Sequence, residues 1–443
     1  MIGKSRGIVR LASTALLLAL VPGGGARAAE DPFALPVAST PPAWGVQFGG
    51  LYSDNIARTP DNEIADIVTF GELDTNLSYT GPRFSGAMVG SIGYRHYTRG
   101  NFDNQKRASL LVNGDLTLIR HSLKWSVADR LTNAPIDPLV NAYPGNIQLV
   151  NVAETGPTFS ARLSDSQTLN IGANYARVWA EETPIDHDRR SGVVSWSHDL
   201  TSSSNGTLYL STRSIEFDDP NAFTDFDQHL VYYSLSRRTL TTDTNVALGG
   251  ARTSLANGFE KDNTIGWLRL GMQRTSNSDI YAEISRTVGD PTTALVDAVE
   301  QQNRGLPLVL IGSPYVQDDV GVRYTRGWGP HTWSALVGWR QLDFFNSGLD
   351  QTQRRYGLFA NLFFTSRLNL VLIGQRDFIN YKALARTDHF TDLGMELNYR
   401  LTGNWSLAAS VHRYQRTSSD VTQEFVEMTG LLSIRYWSLE GGV

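Results

Sequence analysis

The chain has 443 residues, no Cys and a formal net charge of −5 at pH 7. The lack of Cys excludes disulfides, thiol catalysis and thiolate-bound metals, and the acidic balance argues against a nucleic-acid-binding protein. A content of 41% hydrophobic and 10% aromatic residues excludes a disordered chain.

The first 28 residues predict a secretory signal peptide. A positively charged start is followed by a short apolar stretch, residues 11–21, and by an Ala-x-Ala cleavage signal, residues 26–28. Its removal takes away one Lys and three Arg, which leaves 35 basic against 44 acidic residues and a net charge of −9. Residues 29–43 then form a short N-terminal segment, too short for the plug domain of an energised transporter.

From residue 44 onward, polar and apolar residues alternate with a period of two, as in Phe84–Tyr94 and Leu393–Leu401. One face carries small residues and charges, and the other carries aliphatic and aromatic side chains. The predicted strands run about 10–15 residues, where soluble strands are usually nearer 5–6 and membrane strands need about 9–11. After the leader, no apolar stretch reaches the roughly 18 residues that a membrane helix requires.

Short polar turns alternate with longer loops, which is the pattern of an outer-membrane barrel with short periplasmic turns. Nine such turns, with one strand added at each end, predict a closed antiparallel transmembrane β-barrel of 16 to 20 strands, with 20 as the best count. The weakest strand is Val150–Leu163, because Gly156-Pro157 interrupts it. The alternative is a soluble propeller, but no blade signature recurs. The turns lie at residues 81–82, 121–122, 164–166, 202–205, 241–243, 276–278, 329–330, 366–367 and 403–404.

Tryptophans predict two girdles at the membrane interfaces. Any of them that faced the lumen could instead stack on carbohydrate. Those near short turns are Trp125, Trp328, Trp333 and Trp405, and those toward the other rim are Trp179, Trp267 and Trp339.

Arginine is used far more than lysine, at 34 against 5 residues. The strands that follow a short turn each carry an Arg near the outer interface, and side-chain parity divides these Arg into two sets. Four share the polar face and should point into the lumen, where they either pair with acidic residues or attract an anionic solute. Five share the apolar face and should reach lipid phosphates. The lumen candidates are Arg95, Arg130, Arg213 and Arg340, with Asp74, Asp115, Glu283 and Glu396; the outer set is Arg177, Arg252, Arg286, Arg376 and Arg413.

Two long connections stand out. Asp290–Tyr315 combines a possible short helix, from Thr292 to Gln302, with the apolar stretch Leu306–Ile311. It either folds into the lumen or caps the mouth of the barrel, or it packs as a surface loop. Asn133–Gly145, with three Pro, is a second candidate for an ordered loop.

Catalytic motifs are absent from the sequence. Ser195 and His198 lie near Asp199, but residues three apart in a strand point to opposite faces and do not meet as a dyad. The chain is therefore predicted not to be an enzyme, and no cofactor or metal is expected.

The first predicted strand ends in an aromatic-x-Asp-Asn-hydrophobic pattern within Gly49–Ile56, and the chain closes on Tyr436-Trp437 before a tail of residues 438–443. With these features the sequence resembles the β-barrel porin 2 family, outer-membrane barrels associated with exopolysaccharide and exosortase systems of Gram-negative bacteria. The resemblance covers the mature chain and implies a role in polysaccharide secretion, but it transfers no functional residues.

These observations predict one domain, residues 44–437, that forms a channel in the outer membrane of a Gram-negative bacterium and serves export of an exopolysaccharide or related glycan. The alternatives are a general or solute-specific diffusion porin and a barrel-borne hydrolase of lipid or glycan. Expected partners are outer-membrane lipid and lipopolysaccharide, a polysaccharide or periplasmic export components, and the barrel assembly machinery; nucleic acid is not expected.

Overall fold

A computed structural model describes residues 43–275, 277–295, 312–345 and 347–438. They form 20 strands that pair antiparallel with their chain neighbours, and β20 pairs with β1 to close the barrel. The predicted leader, all but the last residue of the 29–43 segment and the tail after residue 438 lie outside the described residues. The strands are β1 Ala43–Ser53, β2 Asp66–Thr80, β3 Phe84–Tyr97, β4 Gln105–Ile119, β5 Leu123–Ala134, β6 Gln148–Ser164, β7 Gln167–Ala180, β8 His187–Thr201, β9 Ser204–Phe217, β10 Phe226–Arg238, β11 Thr242–Leu255, β12 Glu260–Thr275, β13 Ser278–Gly289, β14 Tyr315–Trp328, β15 His331–Phe344, β16 Gln351–Phe363, β17 Leu368–Tyr381, β18 Arg386–Arg400, β19 Trp405–Ser418 and β20 Phe425–Trp437, with 3₁₀ turns at Pro144–Asn146 and Val421–Gln423.

The predicted closed barrel of 20 strands is confirmed. Nine connections of only two to four residues join the strands at one end, where the sequence predicted the short turns. β6 is continuous through Pro157, because the pairs Thr155–Tyr175 and Thr158–Gly172 keep one register on both sides of it. The proline removes one ladder hydrogen bond without shifting the strand.

Exposure alternates along the strands and separates an outer from an inner face. On β1, Trp44, Phe48 and Tyr52 are exposed on the outside, while Gln47 and Ser53 are buried on the inside. A closed barrel leaves no unpaired backbone edge in the membrane, and its apolar outer band meets lipid. No helix within the described ranges is long and apolar enough to cross a membrane.

The aromatic-x-Asp-Asn segment joins the first strand to the last. Asp54 Oδ1 accepts a hydrogen bond from the Met428 backbone N–H at 2.7 Å. The Asn55 side chain is fully buried, and its Nδ2 donates to the carbonyls of Val426 (3.0 Å) and Thr59 (2.8 Å). These two side chains therefore fasten the seam between β1 and β20 and the loop above it.

Replacing Asn55 by Ala should lower the free energy of unfolding by about 1–3 kcal/mol, because the two carbonyls lose a buried donor. The measurement is urea unfolding in detergent, followed by the electrophoretic shift between folded and heat-unfolded barrel. Asn101→Ala, at an exposed position in the next long loop, is the matched control and should leave the midpoint unchanged. An N55A barrel as stable as the parent would show that the seam does not depend on this amide.

Candidate functional site

The strand register places all eight predicted lumen residues on the inner face. Four of them contact an oppositely charged side chain, which neutralises charge on the lumen wall, and Glu396 contacts the His412 ring. Asp115 accepts a hydrogen bond from Ser126 at 2.7 Å, Arg130 is buried, and Arg95 makes no ion pair within the described part of the chain. The contacts are Arg213 with Asp290 (3.2 Å), Arg340 with Asp319 (2.7 Å), Glu283 with Arg269 (2.8 Å), Asp74 with Arg435 (3.4 Å) and Glu396 with His412 (3.5 Å).

The first residues of the connection after β13, residues 290–295, lie against the inner wall of the barrel, and residues 296–311 of the predicted loop lie outside the described residues. Asp290 is fully buried, and its Oδ2 lies 3.2 Å from Arg213 Nη1 and 3.6 Å from Arg189 Nη2, on the inner wall of β9 and β8. The Thr292 hydroxyl contacts His187 Nε2 at 2.9 Å. Residues 291–295 are helical, so the start of the predicted helix is present and its remainder lies outside the described residues. The segment is thus tied to strands four or five positions around the barrel.

An apolar contact extends the same attachment. Leu295 is fully buried in a cluster with Val150, Val152 and Val178, whose side chains line the inner wall of β6 and β7. Phe223, from the β9–β10 loop, packs against this cluster. Burying a Leu side chain contributes about 1.5–3 kcal/mol, so the segment is held by hydrophobic contact as well as by charge.

The carboxylate of Asp290 keeps its charge in acid. Burial raises its pKa, but Arg189, Arg213 and the Thr293 N–H, which donates at 2.9 Å, outweigh burial and lower the pKa to about 2. A lowered folded-state pKa contributes stability that is present above the ordinary value of 3.8 and is lost as the pH falls through 2. The attachment should therefore survive mild acidification.

Hydrogen exchange should show this directly. The amides of residues 290–295 should stay as protected at pH 4 as at pH 7, after correction for intrinsic exchange rates, and lose protection only near the pKa of about 2. Peptides from the exposed β3–β4 loop give the unprotected reference. Loss of protection between pH 5 and 4 would mean that the Asp290 carboxyl titrates like an ordinary one.

A second connection, residues 135–147 between β5 and β6, reaches inner-face residues of β18 and β19, beyond the β1–β20 seam. Arg416 Nη1, on β19, donates to Asn141 Oδ1 at 2.7 Å, and Arg416 Nη2 donates to the Leu139 carbonyl at 3.3 Å. Arg386 on β18 donates to the same carbonyl at 2.9 Å. The predicted loop Asn133–Gly145 is therefore ordered by contacts with β18 and β19; its first two residues, Asn133 and Ala134, belong to β5.

The arginines that hold this loop are themselves fixed by one buried carboxylate. Asp388 is fully buried and lies 2.6 Å from Arg416 and 3.2 Å from Arg386, with the Ser418 hydroxyl donating to it at 2.5 Å. Because a buried charge without a partner costs several kcal/mol, this group should hold one geometry.

Sequence reasoning missed the residues that anchor both loops: Asp290, Arg189, Asn141, Arg416 and Asp388. They lie on elements that are far apart in the chain. The alternation of side chains along a strand predicts which face a residue is on, but it does not predict which residue of another element it contacts. One signal was available. Val150, Val152 and Val178 occupy the inner parity, where polar residues are expected, and such apolar positions mark a wall that another segment covers.

The five arginines predicted at the outer interface lie on the outer face near the extracellular end. Three of them are paired with acidic residues: Arg177 with Asp218 (2.5 Å), Arg252 with Asp262 (2.7 Å) and Arg286 with Asp318 (3.5 Å). Arg376 lies over the Phe378 ring at 5.0 Å, and Arg413 is half-buried between neighbouring strands. A phosphate contact by the first three would have to share the guanidinium with a carboxylate.

The girdle prediction is wrong for Trp267. Its register partners, Ala247 and Ser285, belong to the inner face, and Trp267 is buried against Tyr232 at a ring distance of 5.0 Å. Trp328 and Trp405, near the short turns, are exposed on the outside as girdle residues should be. The prediction used only the nearness of Trp267 to a strand end, which does not determine whether a side chain faces the lipid or the lumen.

Ser195 and His198 do not form a catalytic pair. Ser195 faces the lumen and accepts a hydrogen bond from Asn170 at 3.3 Å, whereas His198 faces outward and stacks on Trp196. The described residues contain no group of three His, Asp or Glu side chains that could hold a metal ion.

No protein-family model matches the chain, and no curated protein matches it. Solved structures do. A mutant of the ferric enterobactin receptor PfeA from Pseudomonas aeruginosa has a TM-score of 0.50 at 9% identity, covering 90% of this chain and 81% of the receptor. The FrpB iron transporter from Neisseria meningitidis has a TM-score of 0.47 at 9% identity, covering 89% and 81%. OccAB4 from Acinetobacter baumannii has a TM-score of 0.37 at 12% identity, covering 90% and 98%. At such identity the first likeness shows the fold alone, and that fold, with its apolar outer band, is that of a barrel of the Gram-negative outer membrane.

Proposed function

We propose that the protein is an outer-membrane channel for hydrophilic molecules, narrowed in its outer half by two loops of its own chain. The observation that carries this proposal is the buried Asp290 segment, which is fixed to the inner wall by Arg189 and Arg213. Barrels of 16–18 strands enclose an aqueous channel and 22-stranded ones need a plug. In a 20-stranded barrel, inward loops would set the size limit.

Export of an exopolysaccharide is the more specific role that the family resemblance implies, and it remains a second proposal. A polymer would need both loops displaced while it passes. The residues that carry the resemblance, Asp54 and Asn55, are engaged in closing the barrel. They support a shared architecture rather than a shared substrate, so the narrowed solute channel is better supported.

Two measurements test these proposals. Purified protein in planar bilayers should give discrete single-channel currents, and neutral sugars above a size limit should fail to enter; absence of current would refute a channel. A clean deletion in the native host should change growth on small solutes and leave secreted polysaccharide unchanged. Loss of the secreted polysaccharide would instead favour the export role.

A further inference from the structure

The four arginines predicted in the lumen differ in their charge partners. Arg213 and Arg340 each lie within 3.2 Å of a carboxylate, and Arg130 is buried in the wall beside Glu154. Arg95, on β3, is half-buried and makes no ion pair with any described residue. The sequence grouped these four arginines together, whereas the structure separates Arg95 from the others.

A second guanidinium lies beside Arg95. In the β3–β4 ladder Arg95 is opposite Gln105, and Gly93 is opposite Arg107. Arg95 and Arg107 are therefore diagonal neighbours on the inner face, about 7–8 Å apart at the backbone and within reach of each other through long side chains. Two like charges on one wall repel, and an anion placed between them relieves that repulsion.

Arg107 is oriented by its neighbours and keeps a free donor. Its Nη2 donates to Gln105 Oε1 at 2.7 Å, and the Tyr97 hydroxyl donates to the same oxygen at 2.9 Å. The Gln105 amide in turn donates to the Pro144 carbonyl in the second inward loop. Arg107 Nε is buried and has no hydrogen-bond partner. A guanidinium held in this way loses little freedom when it binds an oxyanion.

Two carboxylates of β2 lie on the inner face near this end of the barrel. Asp66 accepts hydrogen bonds from the Thr98 hydroxyl (3.4 Å) and the Arg99 backbone N–H (3.2 Å), and Glu72 is nearer in register to the arginine pair. Glu72 on β2 pairs with Gly93 on β3, and Gly93 pairs with Arg107 on β4. Glu72 and Arg107 therefore lie in one row of register partners that runs across the three strands. Glu72 makes no ion pair within the described ranges, so the two guanidinium charges exceed it. The group lies at the extracellular end of the lumen, where β3 ends and β4 begins.

We infer that Arg95 and Arg107 form a binding site for an oxyanion group, such as a carboxylate or sulfate, on a hydrophilic solute at the extracellular end of the lumen. The inference rests on the proposed channel function and deepens it by naming the charge class of the solute. The sequence pattern did not indicate Arg107, because the pattern includes only arginines on strands that follow a short turn. Arg107 lies on β4, which follows a long loop.

Calorimetric titration of the full chain in detergent tests the site with three probes: trigalacturonate, which carries carboxylates, inorganic sulfate, and neutral maltotriose. Trigalacturonate should bind and maltotriose should not; sulfate binding in addition would show that the site takes the oxyanion alone. R95Q and R107Q should each weaken binding about tenfold, the effect of losing one charge-assisted hydrogen bond. Arg400→Gln, which removes an inner-face charge near the opposite end, is the control and should have no effect.

A variant that is expected to strengthen binding distinguishes a lost binding charge from a misfolded protein. Glu72→Gln should tighten trigalacturonate binding, because it removes the one negative charge on the row. Equal binding of trigalacturonate and maltotriose, or an unchanged affinity in the R95Q/R107Q double variant, would overturn the site. Single-channel current is recorded on the same preparations, so that a conducting protein without charge preference refutes this inference alone, and a binding protein without current refutes the channel alone.

Discussion

Replacing Asp290 by Ala should raise the single-channel conductance and weaken the attachment of the segment after β13 by about 3–5 kcal/mol. This is the cost of removing one partner from a buried ion pair, here the carboxylate that Arg189 and Arg213 share. The barrel strands do not depend on this contact, so the variant should still fold. Planar-bilayer recording gives the conductance, and hydrogen exchange at residues 290–295 gives the local free energy.

Two further variants sharpen the result. Asp290→Asn keeps an oxygen that can accept from the Thr293 N–H and removes only the charge, so it should open the channel nearly as far as D290A if the ion pairs dominate. Asp318→Ala removes a carboxylate on the outer face that contacts Arg286 at 3.5 Å, and should leave conductance unchanged. A conductance equal to the parent's in D290A would mean that this segment does not limit the path.

The strands and their number could be predicted from sequence because the signals are local. Side-chain period, turn residues and strand length are each read within some fifteen residues, and they sufficed even for β6 with its internal proline. Face assignment followed from the same period. It failed at Trp267, where nearness to a strand end was used in place of parity.

The contacts that hold the two loops to the inner wall could not be predicted, because they are not local. Arg416 meets Asn141 across 275 residues of sequence, and Asp290 meets arginines two or more hairpins away. Nothing in the local pattern says which inner-wall arginine faces which loop. The apolar inner-face residues Val150, Val152 and Val178 indicate that another segment covers this part of the wall. They do not identify that segment.

The second large effect is expected at Arg416. Arg416→Gln removes the donors to Asn141 and Leu139 and the 2.6 Å contact with Asp388. Its side chain is only 2% exposed, so losing this buried charge should cost about 3–5 kcal/mol and release the 135–147 loop. Arg238→Gln, which breaks an Arg–Asp pair at an exposed turn, is the matched control and should shift stability by less than about 1 kcal/mol.

Combining R416Q with D290A shows how the two loops share the lumen. If they obstruct one path in series, each single release leaves the other obstruction in place, and the double variant gains far more conductance than the two singles together. If they lie side by side, each release opens its own path and the gains add. The loops are anchored to opposite walls at the same end of the barrel, one by Arg189 and Arg213 and the other by Arg386 and Arg416. We therefore expect additive gains, and a greater-than-additive gain would mean that the two loops obstruct one path in series.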